Sequence, residues 1–138
     1  MSMPYKFLEH TADVLFEAEG KSLEELFESC ALATEETQVD LKNVGQDKEI
    51  KFVVEDESTE MLLFHFLQEI IFYKDAEELL FSRFKIKIDG NRLEAECFGE
   101  KINQKKHILN VDVKAVTLHQ FEVKKTAKGW FARVILDI

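Results

Sequence analysis

Phe84-Lys85-Ile86-Lys87-Ile88-Asp89-Gly90-Asn91-Arg92-Leu93-Glu94-Ala95-Glu96-Cys97 is the stretch that decides the fold class. Successive side chains of a strand point to opposite faces, so Phe84, Ile86 and Ile88 share one face while Lys85 and Lys87 share the other. Leu93, Ala95 and Cys97 alternate in the same way with Arg92, Glu94 and Glu96. Asp89-Gly90 between the two runs is a turn pair, and the whole reads as an antiparallel hairpin with one face on a core. A second hairpin follows downstream. His119, Phe121 and Val123 alternate up to Lys124-Lys125-Thr126-Ala127-Lys128-Gly129, and Trp130, Ala132, Val134 and Leu136 return.

Upstream of these hairpins the period changes. Ser22-Leu23-Glu24-Glu25 has capping-box spacing, and Leu23, Leu26, Phe27, Cys30, Ala31 and Thr34 then recur at helical intervals, which predicts an amphipathic helix. A second helix starts in the acidic cluster 55–60. Met61, Leu62, Leu63, Phe64, Phe66, Leu67, Ile70 and Ile71 leave it only a polar stripe of His65, Gln68 and Glu69, so it is expected to lie buried across a sheet. Residues 49–55, with Ile50, Phe52, Val53 and Val54, read as a strand. Tyr5 to Leu8 and Val14 to Glu19 read as two more, joined by a tight loop at Glu9-His10-Thr11-Ala12-Asp13. Helices early and strands late argue for an α+β fold and against a doubly wound one. The expectation is a single domain over residues 1–138, with a mixed or largely antiparallel sheet of about seven strands packed with two helices.

Composition narrows the classes of function. Apolar residues make up 46% of the 138 and charged residues 33%, a balance that supports a packed core and not a disordered chain. Eighteen basic against 27 acidic side chains leave a net charge of -9. A surface of that sign repels phosphate backbones, so contact with RNA is expected only through a partner, and a partner with a basic face fits best. Cys30 and Cys97 form no CxxC pair and read as core residues, not as a disulfide or zinc site. No apolar run approaches the roughly 20 residues of a membrane helix, and residues 1–5 lack the pattern of a signal peptide. A cytoplasmic protein with no membrane partner is expected, and no pattern specifies an oligomeric state.

The last strand directs the search for chemistry. It stays apolar through Ile135-Leu136 and then reaches Asp137-Ile138 with no polar tail. Chain ends usually fray. An apolar final residue on a core-type strand implies a held terminus, with the Ile138 α-carboxylate beside the carboxylate of Asp137. With the second turn centred near Ala127, Asp137 is expected to face Thr117, give or take one or two residues. Lys114 then lies about 10 Å further along the same strand, within reach of its long side chain. Carboxylates, a hydroxyl and backbone carbonyls form a hard-oxygen set that suits Ca²⁺ or Mg²⁺. The plainer reading of the same residues is a capping Asp and an ordinary strand Thr. His10 equally fits a loop hydrogen-bonder, His65 with Glu69 a solvated stripe, and Lys101, Gln104, Lys105, Lys106 and His107 an exposed loop. No Gly-rich phosphate loop, GxSxG elbow or HExxH motif occurs in the sequence.

Four stretches together resemble the archease family: Glu9-His10-Thr11-Ala12-Asp13, Leu80-Phe81-Ser82-Arg83-Phe84, Lys114-Ala115-Val116-Thr117 with His119, and the run from Gly129 to Ile138. The resemblance spans essentially the whole chain. It implies a non-enzymatic activator of the RNA-splicing ligase that joins tRNA exon halves, one that promotes ligase guanylylation and multiple turnover in tRNA splicing. It further implies that Asp13 and Asp137 bind a divalent cation, with Ile138 beside them, and that Lys114 is tied to activation, with His10 and Thr117 in the same neighbourhood. Only the resemblance brings Asp13 to this place. Many relatives carry an aromatic residue between the threonine and the histidine, where this chain has Leu118.

Two other functions fit parts of the pattern. One is a metal-dependent phosphoester hydrolase, with Asp13 and Asp137 on the metal and His10 or His119 as base. The other is a chaperone-like modulator of RNA-modifying enzymes that acts through its general surface.

Overall fold

The computed structural model describes residues 4–8 and 13–138. Strands β1 (Tyr5–Leu8), β2 (Asp13–Gly20), β3 (Lys48–Glu55), β4 (Leu79–Asp89), β5 (Arg92–Lys101), β6 (Ala115–Thr126) and β7 (Gly129–Asp137) accompany helices α1 (Leu23–Gln38) and α2 (Thr59–Glu77). Seven antiparallel strands with two helices make the α+β fold that the alternation predicts. The strands divide between two sheets, ordered β1-β2-β7-β6 and β3-β5-β4. Alternation shows which face of a strand is buried but not which strands share a sheet.

Both helices begin where their caps place them. Ser22 Oγ accepts from the Glu25 N–H at 3.1 Å, while Glu25 Oε2 accepts from the Lys21 N–H at 2.8 Å. Ser58 Oγ accepts from the Met61 N–H at 3.1 Å, and α2 stops where Glu78 turns left-handed at φ 56°. Each such cap is worth about 1 kcal/mol. Helix α1 packs on both β2 and β4 and so ties the two sheets together. Its approach to β2 requires Gly20, because a Cβ there would come within 2.4 Å of the Leu26 backbone nitrogen. Helix α2 lies under β6 on one side and the three-stranded sheet on the other. Phe66 sits at the centre, with ring contacts to Phe27, Phe52 and Phe84, and Cys30 and Cys97 are buried free thiols in the same core.

The loop 101–107 departs from its expected exposure. Lys101, Gln104, Lys105 and Lys106 are exposed, but His107 is buried. Its Nδ1 accepts from the Asn103 N–H at 2.9 Å, and its Nε2 bonds Glu100 Oε2 at 2.8 Å. Glu100 also accepts from the Gly45 N–H at 2.7 Å and pairs with Lys106 at 2.8 Å. A polar residue is buried when its hydrogen bonds are complete, and here a carboxylate from β5 completes them. The Gly45 N–H, Lys106 and His107 together hold the Glu100 carboxyl down at about 2.

A bulge in β6 sets the geometry of the far end of the larger sheet. Near the turn, Glu122 faces Arg133 and Lys124 faces Phe131. At that register Thr117 would face Ile138. It faces Ile135, because the ladder slips between Thr117 and Glu122, where Gln120 adopts φ 55°. A bulge inserts unpaired residues into one strand and resets everything beyond it. The expected pairing of Asp137 with Thr117 is therefore corrected: Asp137 faces Ala115.

Candidate functional site

The site is built at the end of the four-stranded sheet, where β2 begins and β7 finishes. Asp13 is the direct cross-strand partner of Asp137, and Ala115 flanks Asp137 on the other side. The neighbouring row, Val14, Leu136 and Val116, belongs to the core. Alternation then turns Asp13, Asp137 and Ala115 to the opposite face of the sheet. Directly paired residues on one face have Cβ atoms about 4.5–5.5 Å apart, and like charges at that spacing destabilise the pair. A cation between two such carboxylates reverses the sign of the interaction.

The next row on this face consists of Leu8, Leu15, Ile135 and Thr117. Ile135 is only 1% exposed although it lies outside both hydrophobic core clusters. Beside it Thr117 Oγ1 is shut from solvent without a hydrogen-bond partner among the described residues. An unsatisfied buried hydroxyl costs about 1–3 kcal/mol, so a polar group arriving here has something to gain. The row beyond is an ion ladder. Lys6 pairs with Glu17 at 3.6 Å, Glu17 with Arg133 at 3.2 Å, and Arg133 with Glu122 at 3.9 Å. The apolar row thus separates the two aspartates from the nearest basic side chains of that ladder.

Lys114 lies closer to the pair than the hairpin estimate implies. Its backbone N–H donates to the Asp137 carbonyl at 2.8 Å, so it stands beside Asp137 and not three residues along the strand. The β6 bulge causes this shift. Lys114 is exposed, and Ile138 is half-buried and packs on the core. His119 is exposed within the bulge, and Leu118 is 57% exposed. His10 lies outside the described residues. Among the described residues no three His, Cys, Asp or Glu side chains gather as a metal-ligating group, so the pair Asp13 and Asp137 would need a further donor.

Several residues that hold this end in place escape a reading by periodicity. Gln68 of α2 accepts from the Val116 N–H at 2.9 Å through Oε1, whereas His65 is exposed as its stripe predicts. Lys74 is buried and reaches Asp112 and the Val113 carbonyl. One signal was available: Lys74 continues the apolar stripe of Leu67, Ile70 and Ile71, a position where a lysine must find a buried partner.

Comparison with known proteins places the chain in a family. The sequence pattern of the Archease protein family matches residues 5–138. The chain is 39% identical to protein archease of Pyrococcus abyssi, over 97% of this chain and 98% of that one. It is 35% identical to protein archease of Archaeoglobus fulgidus, over 99% and 100%. The solution structure of Methanobacterium thermoautotrophicum protein 1598 superposes with a TM-score of 0.88 at 38% identity, covering 99% of this chain and 100% of that one. The crystal structure of an archease from Thermotoga maritima shares the fold, with a TM-score of 0.67 at 24% identity over 96% of each chain. By sequence along nearly its full length, and by fold, the chain belongs to the archease family.

Proposed function

We propose that this protein is a non-enzymatic activator of an RNA-splicing ligase that promotes guanylylation and multiple turnover of that enzyme in tRNA splicing. The observation that carries the reading is the pairing of Asp13 with Asp137 at one sheet end, with Lys114 bonded to the Asp137 backbone. Asp13, Asp137 and the Ile138 carboxylate would hold a hard divalent cation, Ca²⁺ or Mg²⁺. The donors fit such an ion, being all anionic oxygens, with the unpartnered Thr117 hydroxyl one row away. A bound cation would supply neutralisation of the pair and coordination positions for oxygens of the partner or its nucleotide. Lys114, His10 and Thr117 are the groups assigned to contact with the ligase, Lys114 as a point charge toward phosphate or carboxylate. RNA is met only through the ligase, in keeping with the net charge of -9.

The test is multiple-turnover ligation of tRNA halves by the cognate ligase, with and without this protein, in the presence of divalent ion and after chelation. Stimulation that requires substoichiometric protein and divalent ion supports the reading, and an unchanged turnover number removes it. The Thermotoga relative is described as a possible chaperone, which favours a second reading, a chaperone-like modulator of RNA-modifying enzymes. On that reading, substitution of Asp13 or Lys114 leaves every partner effect intact.

A further inference from the structure

Residues 110–114 lead into β6 without a sheet ladder of their own; carbonyls of α1 hold the Asn110 and Val111 N–H groups, and side chains from the two helices hold the backbone of Val113. Lys74, in the last turn of α2, is 7% exposed. Its ammonium donates to Asp112 Oδ1 and to the Val113 carbonyl at 2.8 Å, and it pairs with Asp75 at 2.5 Å. Gln38, at the end of α1, accepts from the Val113 N–H at 3.4 Å through Oε1 and donates to Glu35 Oε1 at 2.7 Å through Nε2. The Asn110 N–H donates to the Gln38 carbonyl at 2.8 Å. Both backbone groups of Val113 are therefore held by side chains, one from each helix. The next residue is Lys114, whose N–H meets the Asp137 carbonyl at 2.8 Å.

We infer that Lys74 is a positioning residue for the Asp13–Asp137–Lys114 end of the protein, acting through Asp112 and Val113. The inference rests on the proposed function above. The chemistry of the position supports a role beyond stability. A buried ammonium is costly to desolvate, and apolar side chains often replace buried ion pairs at no loss of stability. A core position that needed only filling on the apolar stripe of α2 is served by Leu or Met. Lysine adds a stem long enough to lie along that stripe and a head that fixes two consecutive residues immediately before Lys114. With the head removed, Asp112 and the Val113 carbonyl lose their common anchor, and the bonds of the Val113 N–H to Gln38 and of the Lys114 N–H to the Asp137 carbonyl are left to hold the segment.

The experiment compares Lys74→Met with Asp112→Asn, Asp137→Ala and the unaltered protein. Asp112→Asn is included because the Asp112 side chain is 68% exposed and its loss leaves the core intact. Amide exchange by NMR reads the positioning directly. Protection of the Lys114 amide is expected to fall at least tenfold in Lys74→Met and by a smaller factor in Asp112→Asn, while the Val134 amide stays unchanged. In ligation assays Lys74→Met is expected to keep its half-maximal concentration and lose at least tenfold in maximal stimulation, a split that general destabilisation does not produce. Unchanged protection at Lys114 overturns the inference whatever the ligase does. Full stimulation by Lys74→Met with loss in Asp137→Ala overturns it and leaves the proposed function standing. Full stimulation by both overturns both. Should Lys74→Met fail to fold, Asp112→Asn decides on the same two readouts.

Discussion

Asp13 and Asp137 face each other across β2 and β7, the two central strands of the larger sheet, on the face turned away from the core. Neither strand can slide to relieve this juxtaposition. A one-residue slip of β2 would carry Val14 out of the core and Asp13 into it, and a slip of β7 would do the same to Leu136 and Asp137. The pairing of the acids is thus held by the burial of their neighbours, and the same burial makes the aspartates replaceable without loss of the fold.

Asp137→Ala is expected to leave folding stability within about 0.5 kcal/mol of the parent, because the residue is exposed and its removal relieves a like-charge pair. Stimulation of ligation is expected to vanish. Urea titration and the multiple-turnover assay check the two halves, and a stable variant with full stimulation counts against the site.

Ca²⁺ added to the purified protein is expected to raise the melting temperature by several degrees, since a ligand at a hundred times its Kd adds about 2.7 kcal/mol. Asp13→Asn and Asp137→Asn should each abolish the shift. A shift of equal size in both variants would place the ion elsewhere.

Glu35 carries a pH dependence of its own. Burial pushes its carboxyl up to about 8 against the opposing bonds from the Phe81 N–H and Gln38 and the charge of Lys74. The folded state therefore binds the Glu35 proton more tightly than the unfolded state, whose carboxyl titrates near its ordinary value of 4.5. Its contribution to stability is complete below that value and is lost as pH rises toward 8. Glu35→Gln is expected to flatten the fall in stability between pH 5 and 8, measured by denaturant titration at each pH. An unaltered slope would assign the dependence to another group.

Glu100 works in the opposite direction. Held at about 2 by the Gly45 N–H, Lys106 and His107, it contributes stability above the ordinary carboxylate range that is lost as pH falls toward 2. Glu100→Ala is expected to cost about 1–3 kcal/mol near neutral pH, because the buried His107 and the Gly45 N–H lose their acceptor. Chemical denaturation at pH 7 and pH 3 should show a larger difference between variant and parent at pH 7.

Much of the fold was legible because its causes are local. Alternation marked the runs that became β4 with β5 and β6 with β7, and the capping-box spacing at Ser22 marked where α1 begins. The C-terminal neighbourhood of Lys114, Thr117 and Asp137 followed from hairpin pairing, but its register did not. The β6 bulge, which moves the partner of Asp137 from Leu118 to Ala115, leaves no mark in the alternation. His107 and Lys74 were misread or passed over because a polar residue's burial depends on partners from distant elements, Glu100 for the one and Asp112 with Val113 for the other.

The sequence by itself determined the elements, the faces they bury and the acid-rich character of the surface, since those depend on the order of neighbouring side chains. Only the tertiary structure decided that the strands form two sheets, that Asp13 pairs with Asp137, and that Lys114 starts at the Asp137 carbonyl. Contacts between residues so far apart in the chain are set by core packing and strand register across the whole molecule.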